Sequence, residues 1–203
     1  MKFTQLPDTV FKNMQLNAGV LLRDFDPATA TLTRASILGA TSGGVKFTAM
    51  PTYSDFGDDI DNCPANMKEL KRVESVEVKV SGTMVTVTGQ VTADLVGPAD
   101  LDTKTGKVTP RTDIKDGDFK DLWWVGDYSE VNEDGAKSGK AGFVAIHMLN
   151  TLSTGGFSIT TDNKAKGKFD FEFTAHYSMD DPQRVPYELY VKAGTSETSE
   201  VAA

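Results

Sequence analysis

Residues 167–178 read Gly-Lys-Phe-Asp-Phe-Glu-Phe-Thr-Ala-His-Tyr-Ser. The odd positions from 169 to 177 are all apolar or aromatic, and the even positions beside them are all polar. A period of two over a whole segment is typical of a strand with one face on a core and the other in water. This stretch therefore predicts a β protein.

The same alternation recurs at residues 76–81, where valines occupy every second position and Glu77 and Lys79 lie between them. After Gly82 the apolar residues shift from even to odd positions, which predicts a bulge or a tight turn there. Other runs rich in β-branched and aromatic residues, bounded by turn residues, predict further strands. They are residues 14–23, 45–50, 122–128, 143–150, 157–161 and 187–192.

One short helix is predicted between the strands. Thr88 has the side chain of an N-cap, residues 90–96 form the helix, and Gly97-Pro98 ends it. We therefore expect a mainly β protein, a single β-sandwich or β-barrel with one short flanking helix. The domain is expected to span residues 1–193, followed by a flexible C-terminal tail over residues 194–203.

Two long connections interrupt this pattern. Residues 51–72 form an acid-rich stretch of about twenty residues between two predicted strands, well beyond the usual hairpin loop. A loop of that length is usually either disordered or used for contact. Residues 100–118 are rich in Thr, Lys, Asp and Gly and are interpreted as a polar insertion loop.

Composition and charge limit the classes of function. The 203-residue chain has 21 Lys+Arg against 29 Asp+Glu, a net charge of −8, with no basic run. Such a chain repels nucleic acid, so sequence-specific DNA binding is not expected. No stretch resembles a signal peptide or reaches the ~20 apolar residues that span a bilayer. Because the single Cys63 cannot form an internal disulfide, we expect a soluble protein made in a reducing cytosol, without membrane contact.

Two stretches resemble known ligand-binding motifs but lack residues that those motifs require. Residues 135–140 resemble a phosphate-binding loop, but the spacing is one residue short and Ala141 stands where a hydroxyl should be. The acidic residues near 55–61 suggest a calcium loop, yet Cys63 and Pro64 occupy the fifth and sixth positions counted from Asp59. An irregular metal site stays open there, but a solvated loop or a protein contact is favoured.

Candidate catalytic residues are few. His147 and His176 each fall inside a predicted strand, and Cys63 has no activating group beside it in the sequence. Trp123 and Trp124 should point to opposite faces of their strand, which places one ring in the core and leaves the other for a ligand or a subunit. We expect no enzymatic activity and no cofactor.

With these residues in order, the chain resembles the major tail tube proteins of long, non-contractile-tailed bacteriophages. The order and spacing of the shared elements, from about residue 14 to about residue 190, support the resemblance more than any single motif. The elements are MQLNAGVLL (14–22), GATSGG (39–44), LKRV (70–73), VKVSGT (78–83), Thr88 before the helix, GGF (155–157), FEFTAHY (171–177) and PYEL (186–189). Residues 100–118 have no counterpart in the family pattern.

The resemblance implies β-sandwich subunits that form hexameric rings, which stack into a hollow tube in the virion tail. Strands of the six subunits would line the lumen as one barrel, and double-stranded DNA would pass through without specific binding. It further implies assembly in the cytoplasm of the bacterial host, with the tape measure, tail terminator and distal tail proteins as partners. Neither catalysis nor a cofactor is implied.

Two sets of residues become candidates for this role. Glu77, Lys79, Asp170 and Glu172 lie on the polar faces of strongly alternating strands and are candidate lumen or interface positions. The acidic loop is a candidate contact between subunits, through Asp55, Asp58, Asp59 and Asp61. An acidic chain also suits a DNA conduit, because like charge keeps the duplex from adhering to the wall.

Two other functions stay open. One is a phage-borne or bacterial β-sandwich module that binds carbohydrate or protein, with Trp123 or Trp124 as a stacking platform. The other is a jelly-roll enzyme, in which His147, His176 and carboxylates would have to converge on a metal.

Overall fold

A computed structural model describes residues 14–128 and 142–192. The chain is mainly β, as predicted. Its strands are β1 (Gln15–Leu22), β2 (Ile37–Gly39), β3 (Thr41–Asp55), β4 (Lys71–Met84), β5 (Ala99–Asp102), β6 (Lys107–Pro110), β7 (Lys120–Tyr128), β8 (Gly142–Ser153), β9 (Ser158–Thr160), β10 (Lys168–Ala175) and β11 (Tyr187–Lys192). Helix α1 covers Gly89–Val96, and single 3-10 turns lie at Arg34–Ser36 and Asp116–Asp118.

The long strands form two antiparallel sheets that share β8. The first sheet has the order β2-β1-β7-β8-β11, and the second has the order β3-β4-β10, with β9 and the end of β8 beside β10. Strand β8 passes from one to the other at its C-terminal end, where Leu152 and Ser153 pair with β10. The β5–β6 hairpin is separate from both sheets.

The main core lies between the two sheets and is closed at one side by α1. It contains the phenylalanines of β10 together with aliphatic residues from the facing strands and the helix. Its members include Phe169, Phe171, Phe173, Val78, Val80, Met84, Leu21, Leu122, Ile146, Met148, Val91 and Leu95. Burying one such side chain is worth about 1.5–3 kcal/mol, so this cluster is the main source of stability.

A second cluster lies on the outer face of the first sheet. Phe25, from the segment after β1, packs edge-on against Trp123 and Phe143, with ring centroids 5.5 and 5.3 Å away. Leu22 and Ala145 complete the cluster. The first sheet is therefore covered on both sides.

Helix α1 begins and ends as predicted. The Thr88 hydroxyl accepts a hydrogen bond from the Val91 amide at 3.2 Å, and Gly97 follows the helix with φ +92°. On its buried side, Asp94 forms ion pairs of 2.7 Å with Arg23 of the chain after β1 and with Lys120 of β7. These pairs fix a short helix that has little intrinsic stability.

The two predicted loops are largely hairpins. Because β3 runs to Asp55 and β4 begins at Lys71, the connection is residues 56–70, shorter than the predicted loop over residues 51–72. The predicted insertion loop at 100–118 contains most of the β5–β6 hairpin, which packs on α1. In both places the strands are largely exposed, so the sequence lacks the apolar–polar alternation that distinguishes a strand from a loop.

The predicted irregularity after Gly82 lies instead in the neighbouring strand. Strand β4 continues through Gly82 to Met84 and pairs without a break with β10. The bulge is in β3, between Ser42 and Val45, where Gly43 and Gly44 have φ of +80° and +86°. Glycine adopts these values at little cost, which explains the Gly-Gly pair.

Some predictions fall on the remaining residues. The phosphate-loop-like stretch at 135–140 and the tail at 194–203 lie outside the described residues. Within the described part of the chain, no helix has the length and apolar character needed to cross a membrane.

Candidate functional site

The second sheet brings Glu77, Lys79, Asp170 and Glu172 together on one side. In the β4–β10 register Asp170 lies opposite Thr83, and Glu172 lies opposite Ser81. We call this side the polar face. Its side chains, all exposed or half-buried, are Lys46, Thr48 and Met50 of β3, Glu77, Lys79, Ser81 and Thr83 of β4, and Lys168, Asp170, Glu172 and Thr174 of β10.

The opposite side of the same strands is apolar. Val78 and Val80 of β4 and the three phenylalanines of β10 point into the main core. Alternation along each strand thus gives the second sheet one buried apolar face and one solvent-exposed polar face, as predicted from the sequence.

The four predicted residues of the polar face are all paired or hydrogen-bonded. The Lys79 Nζ atom lies 2.5 Å from a Glu77 carboxylate oxygen. This hydrogen bond, followed by the charges of Glu77 and Glu172, raises the pKa of Lys79 above its ordinary value. Asp170 accepts a hydrogen bond from the Thr83 hydroxyl at 2.8 Å, and Glu172 accepts one from Thr154 at 3.1 Å.

The second sheet has open edges. Among residues 14–128 and 142–192, β3 pairs only with β4, and β9 pairs only with β10. An open strand edge offers backbone N–H and C=O groups to any strand that approaches it. The fifteen-residue β3 is the longest strand in the described chain and offers most of these groups.

The outer half of the β3–β4 hairpin extends beyond the core. We call residues 50–77 the arm. Its strands pair with each other, and most of its side chains are exposed on both faces. Near its base, the Tyr177 hydroxyl accepts a hydrogen bond from the Val76 amide at 2.8 Å.

The tip of the arm, residues 56–70, is a folded series of turns. The Asp55 carboxylate accepts hydrogen bonds from the amides of Gly57 at 3.0 Å and Asn66 at 2.9 Å. These two bonds, in that order, lower the pKa of Asp55. Gly57 is buried, and a β-carbon there would lie 3.0 Å from Leu70 and 3.1 Å from the Cys63 sulfur.

The four predicted acidic contact residues therefore differ in role. Asp55 is the last residue of β3 and holds the turn inside its own chain. Asp58, Asp59 and Asp61 are exposed at the tip, where they can face another molecule.

Apolar residues of the arm, which the sequence reading missed, are more prominent than its acids. Six large apolar side chains are between 39% and 62% exposed. They are Met50, Tyr53, Phe56, Ile60, Met67 and Val73. The sequence does contain a signal for this surface, because aromatic and aliphatic residues recur in the stretch interpreted as an acidic loop. Such a concentration of exposed apolar side chains on one projecting element is typical of interaction surfaces.

The tryptophans point to opposite faces, as predicted. Trp123 is buried in the second cluster, and its ring stacks on His147 with centroids 3.9 Å apart. Trp124 is half-buried against the main core, and its indole N–H donates to the Ala18 carbonyl at 3.0 Å. Trp123 is therefore not available as a ligand platform.

The histidines have structural partners. His147 Nε2 lies 2.9 Å from an Asp121 oxygen, and Nδ1 lies 3.7 Å from Glu188. His176 Nδ1 lies 3.1 Å from the Asn150 carbonyl oxygen. Across the described residues, no three His, Cys, Asp or Glu side chains are placed to hold a metal ion together.

A polar cavity of 330 Å³ lies between α1 and the β5–β6 hairpin. Its charged lining residues pair with one another: Arg111 lies 2.6 Å from Asp118 and 3.0 Å from Asp100, and Asp94 binds Arg23 and Lys120. These pairs join the hairpin and the helix to the sheet, so the cavity belongs to the scaffold.

No protein-family model matches the chain, and no curated protein matches it.

Proposed function

We propose that this chain is a structural subunit of a phage tail tube, in which copies join edge to edge into rings and the rings stack into a conduit for DNA. One observation carries the proposal. The second sheet is polar on one face and apolar on the other, and in the described chain both its outer strands have an open edge.

Open edges support joining of identical subunits. If the edge of β3 pairs with β9 of a neighbouring copy, the two second sheets become one continuous sheet. Repetition around a ring closes that sheet into a barrel, and closure removes the edges altogether. The apolar side stays on each subunit's own core, so the polar face lines the interior.

The arm supports stacking of the rings. It projects from the same hairpin that supplies the β3 edge, and its exposed apolar side chains need a partner surface. A neighbouring copy in the next ring is the proposed partner. Asp58, Asp59 and Asp61 at the tip would then contribute charge at the rim of that contact.

The remaining parts of the proposal follow from the tail-tube role. The tape measure, tail terminator and distal tail proteins would be this chain's other partners in the tail. Double-stranded DNA would pass along the polar face during ejection. The role requires neither catalysis nor a cofactor, and it places the assembled protein in the virion tail.

Electron microscopy of the concentrated protein tests the proposal. We expect rings and hollow tubes whose number increases with protein concentration. A variant in which an Asn-Gly turn replaces residues 56–70, keeping the Asp55–Lys71 pair, should form rings or short oligomers without long tubes. Tubes of unchanged length from this variant would contradict the role of the arm. A wild-type protein that stays monomeric at all concentrations would contradict the function itself.

A further inference from the structure

We propose that the polar face lets DNA slide because its positive charges are balanced by as many carboxylates on the same face and its central lysine, Lys79, is ion-paired. This inference rests on the proposed function and concerns the electrostatic interaction between the lumen wall and the DNA phosphates. Glu77 and Glu172 are assigned as the residues that keep Lys79 from binding phosphate.

The charges of the polar face sum to zero, although the whole chain has a net charge of −8. Three lysines stand against three carboxylates: Lys46, Lys79 and Lys168 against Glu77, Asp170 and Glu172. The excess negative charge of the protein therefore lies elsewhere. Repulsion by an acidic wall does not describe this face, which is neutral by formal charge.

One lysine of the polar face is ion-paired, and the other two share a row or a strand with a carboxylate. Lys79 lies at the centre, on β4, and forms the 2.5 Å ion pair with Glu77. Lys46 and Glu172 lie in one row across the sheet, on either side of Ser81, about two strand spacings or ~10 Å apart. Lys168 and Asp170 are successive residues on the same side of β10.

The rest of the face consists mainly of hydroxyl side chains. Between the charged residues lie hydroxyl side chains, those of Thr48, Ser81, Thr83 and Thr174. Two of the three carboxylates also accept hydroxyl hydrogen bonds, from Thr83 and Thr154, which hold them in place. The face is therefore solvated, and its central cation, Lys79, is paired.

Neutralised lysines matter because DNA binding depends on free cations. Each lysine that neutralises a phosphate releases counterions and strengthens binding in a salt-dependent way. A lysine already paired with a carboxylate must give up that pair to contact a phosphate, so little is gained. Repeated around and along a tube, even a weak contact per subunit would hold the duplex.

DNA binding by the unassembled protein tests the inference. Glu77→Gln with Glu172→Gln removes two negative charges from the polar face, and Asp58→Asn with Asp59→Asn removes two from the tip of the arm. Affinity for a fluorescent double-stranded oligonucleotide would be measured by anisotropy over a range of salt concentrations. We expect the polar-face variant to bind about tenfold more tightly than the tip variant at low salt, with a steeper salt dependence.

Adding Lys79→Gln to the polar-face variant identifies the cation responsible. The added binding should be lost, whereas Lys104→Gln, in the turn after β5, should leave it. Equal binding by the polar-face and tip variants would overturn the inference, and so would persistence of the binding without Lys79. Circular dichroism would show that each variant is folded. Tube formation, scored separately by microscopy, reports on the proposed function alone.

Discussion

The two halves of the β3–β4 hairpin are both paired antiparallel strands, but the inner half is partly buried and the outer half is exposed. In the inner half, β4 lies between β3 and β10, and one face is sealed on the core. In the arm, the strands pair only with each other and large apolar residues face water. The same hairpin thus has an inner half packed on the core and an outer half whose large apolar side chains are exposed. Substitutions in the inner half should therefore reduce folding stability, whereas substitutions in the arm should reduce assembly.

The largest effect on stability is expected at the inner half. Phe173 is 2% exposed and lies on the core face of β10. Phe173→Ala should lower the free energy of unfolding by about 3–5 kcal/mol, because it removes buried apolar surface and leaves a cavity. Urea denaturation followed by tryptophan fluorescence measures this loss. A loss below about 1 kcal/mol would contradict the assigned core.

A smaller loss of unfolding free energy is expected when the ion pairs that hold α1 against the first sheet are removed. Asp94→Asn keeps the shape of the side chain but removes the charge that binds Arg23 and Lys120. Hydrogen bonds to charged groups are worth about 1.5–3 kcal/mol, so a loss of about 2 kcal/mol is expected. Asp121→Asn, which affects a carboxylate 45% exposed, is the control and should cost less.

The same carboxyl makes stability depend on pH. Burial works to raise the pKa of Asp94, but the charges and hydrogen bonds of Arg23 and Lys120 outweigh it and lower the pKa below the ordinary value. A lowered folded-state pKa means that the stabilisation is complete above about pH 4 and is lost as the pH falls below it. In acid denaturation, Asp94→Asn should show a smaller loss of stability below pH 4 than the wild type. An unchanged difference between them from pH 7 to pH 3 would refute this assignment.

At the tip of the arm the effect should be local. Asp55→Ala removes the acceptor of the Gly57 and Asn66 amides. Hydrogen exchange at these two amides should become faster, while the main core keeps its protection because the tip does not contact it. Equal exchange rates in the variant and the wild type would show that Asp55 does not hold the turn.

The smallest effect on stability is expected for Phe56→Ala, which is the counterpart of Phe173→Ala in the arm. Phe56 is 62% exposed, so its truncation should change the unfolding free energy by less than about 0.5 kcal/mol. Assembly should suffer, with fewer or shorter tubes in electron micrographs. A normal yield of tubes from this variant would remove Phe56 from the contact surface.

Sequence alone was sufficient for the inner half and insufficient for the arm. Alternation identified β10 and the polar face because one side of each strand is buried and the other is not. Beyond Met50 both sides are exposed, so the pattern that marks a strand is missing and Pro51 suggests a break. The hairpin β5–β6 was missed for the same reason, since four-residue strands with polar side chains lack a readable period.

Contacts between residues far apart in the chain could not be predicted from the sequence either. Asp94 and Arg23 are 71 positions apart, and Asp94 and Lys120 are 26 apart. No local spacing rule connects such residues, because only the packing of α1 on the first sheet brings them together. The helix caps were predicted correctly, since Thr88 and Gly97 act on their own backbone.

Thiol labelling shows whether the polar face becomes the inner wall of a tube. Ser81→Cys in a Cys63→Ser background places one thiol at the middle of the polar face. In assembled tubes this thiol should react with N-ethylmaleimide but not with a polyethylene-glycol maleimide too large to enter the lumen, while the unassembled protein reacts with both. Equal reaction of tubes with the large reagent would place the polar face on the outside of the tube and rule out its proposed position in the lumen.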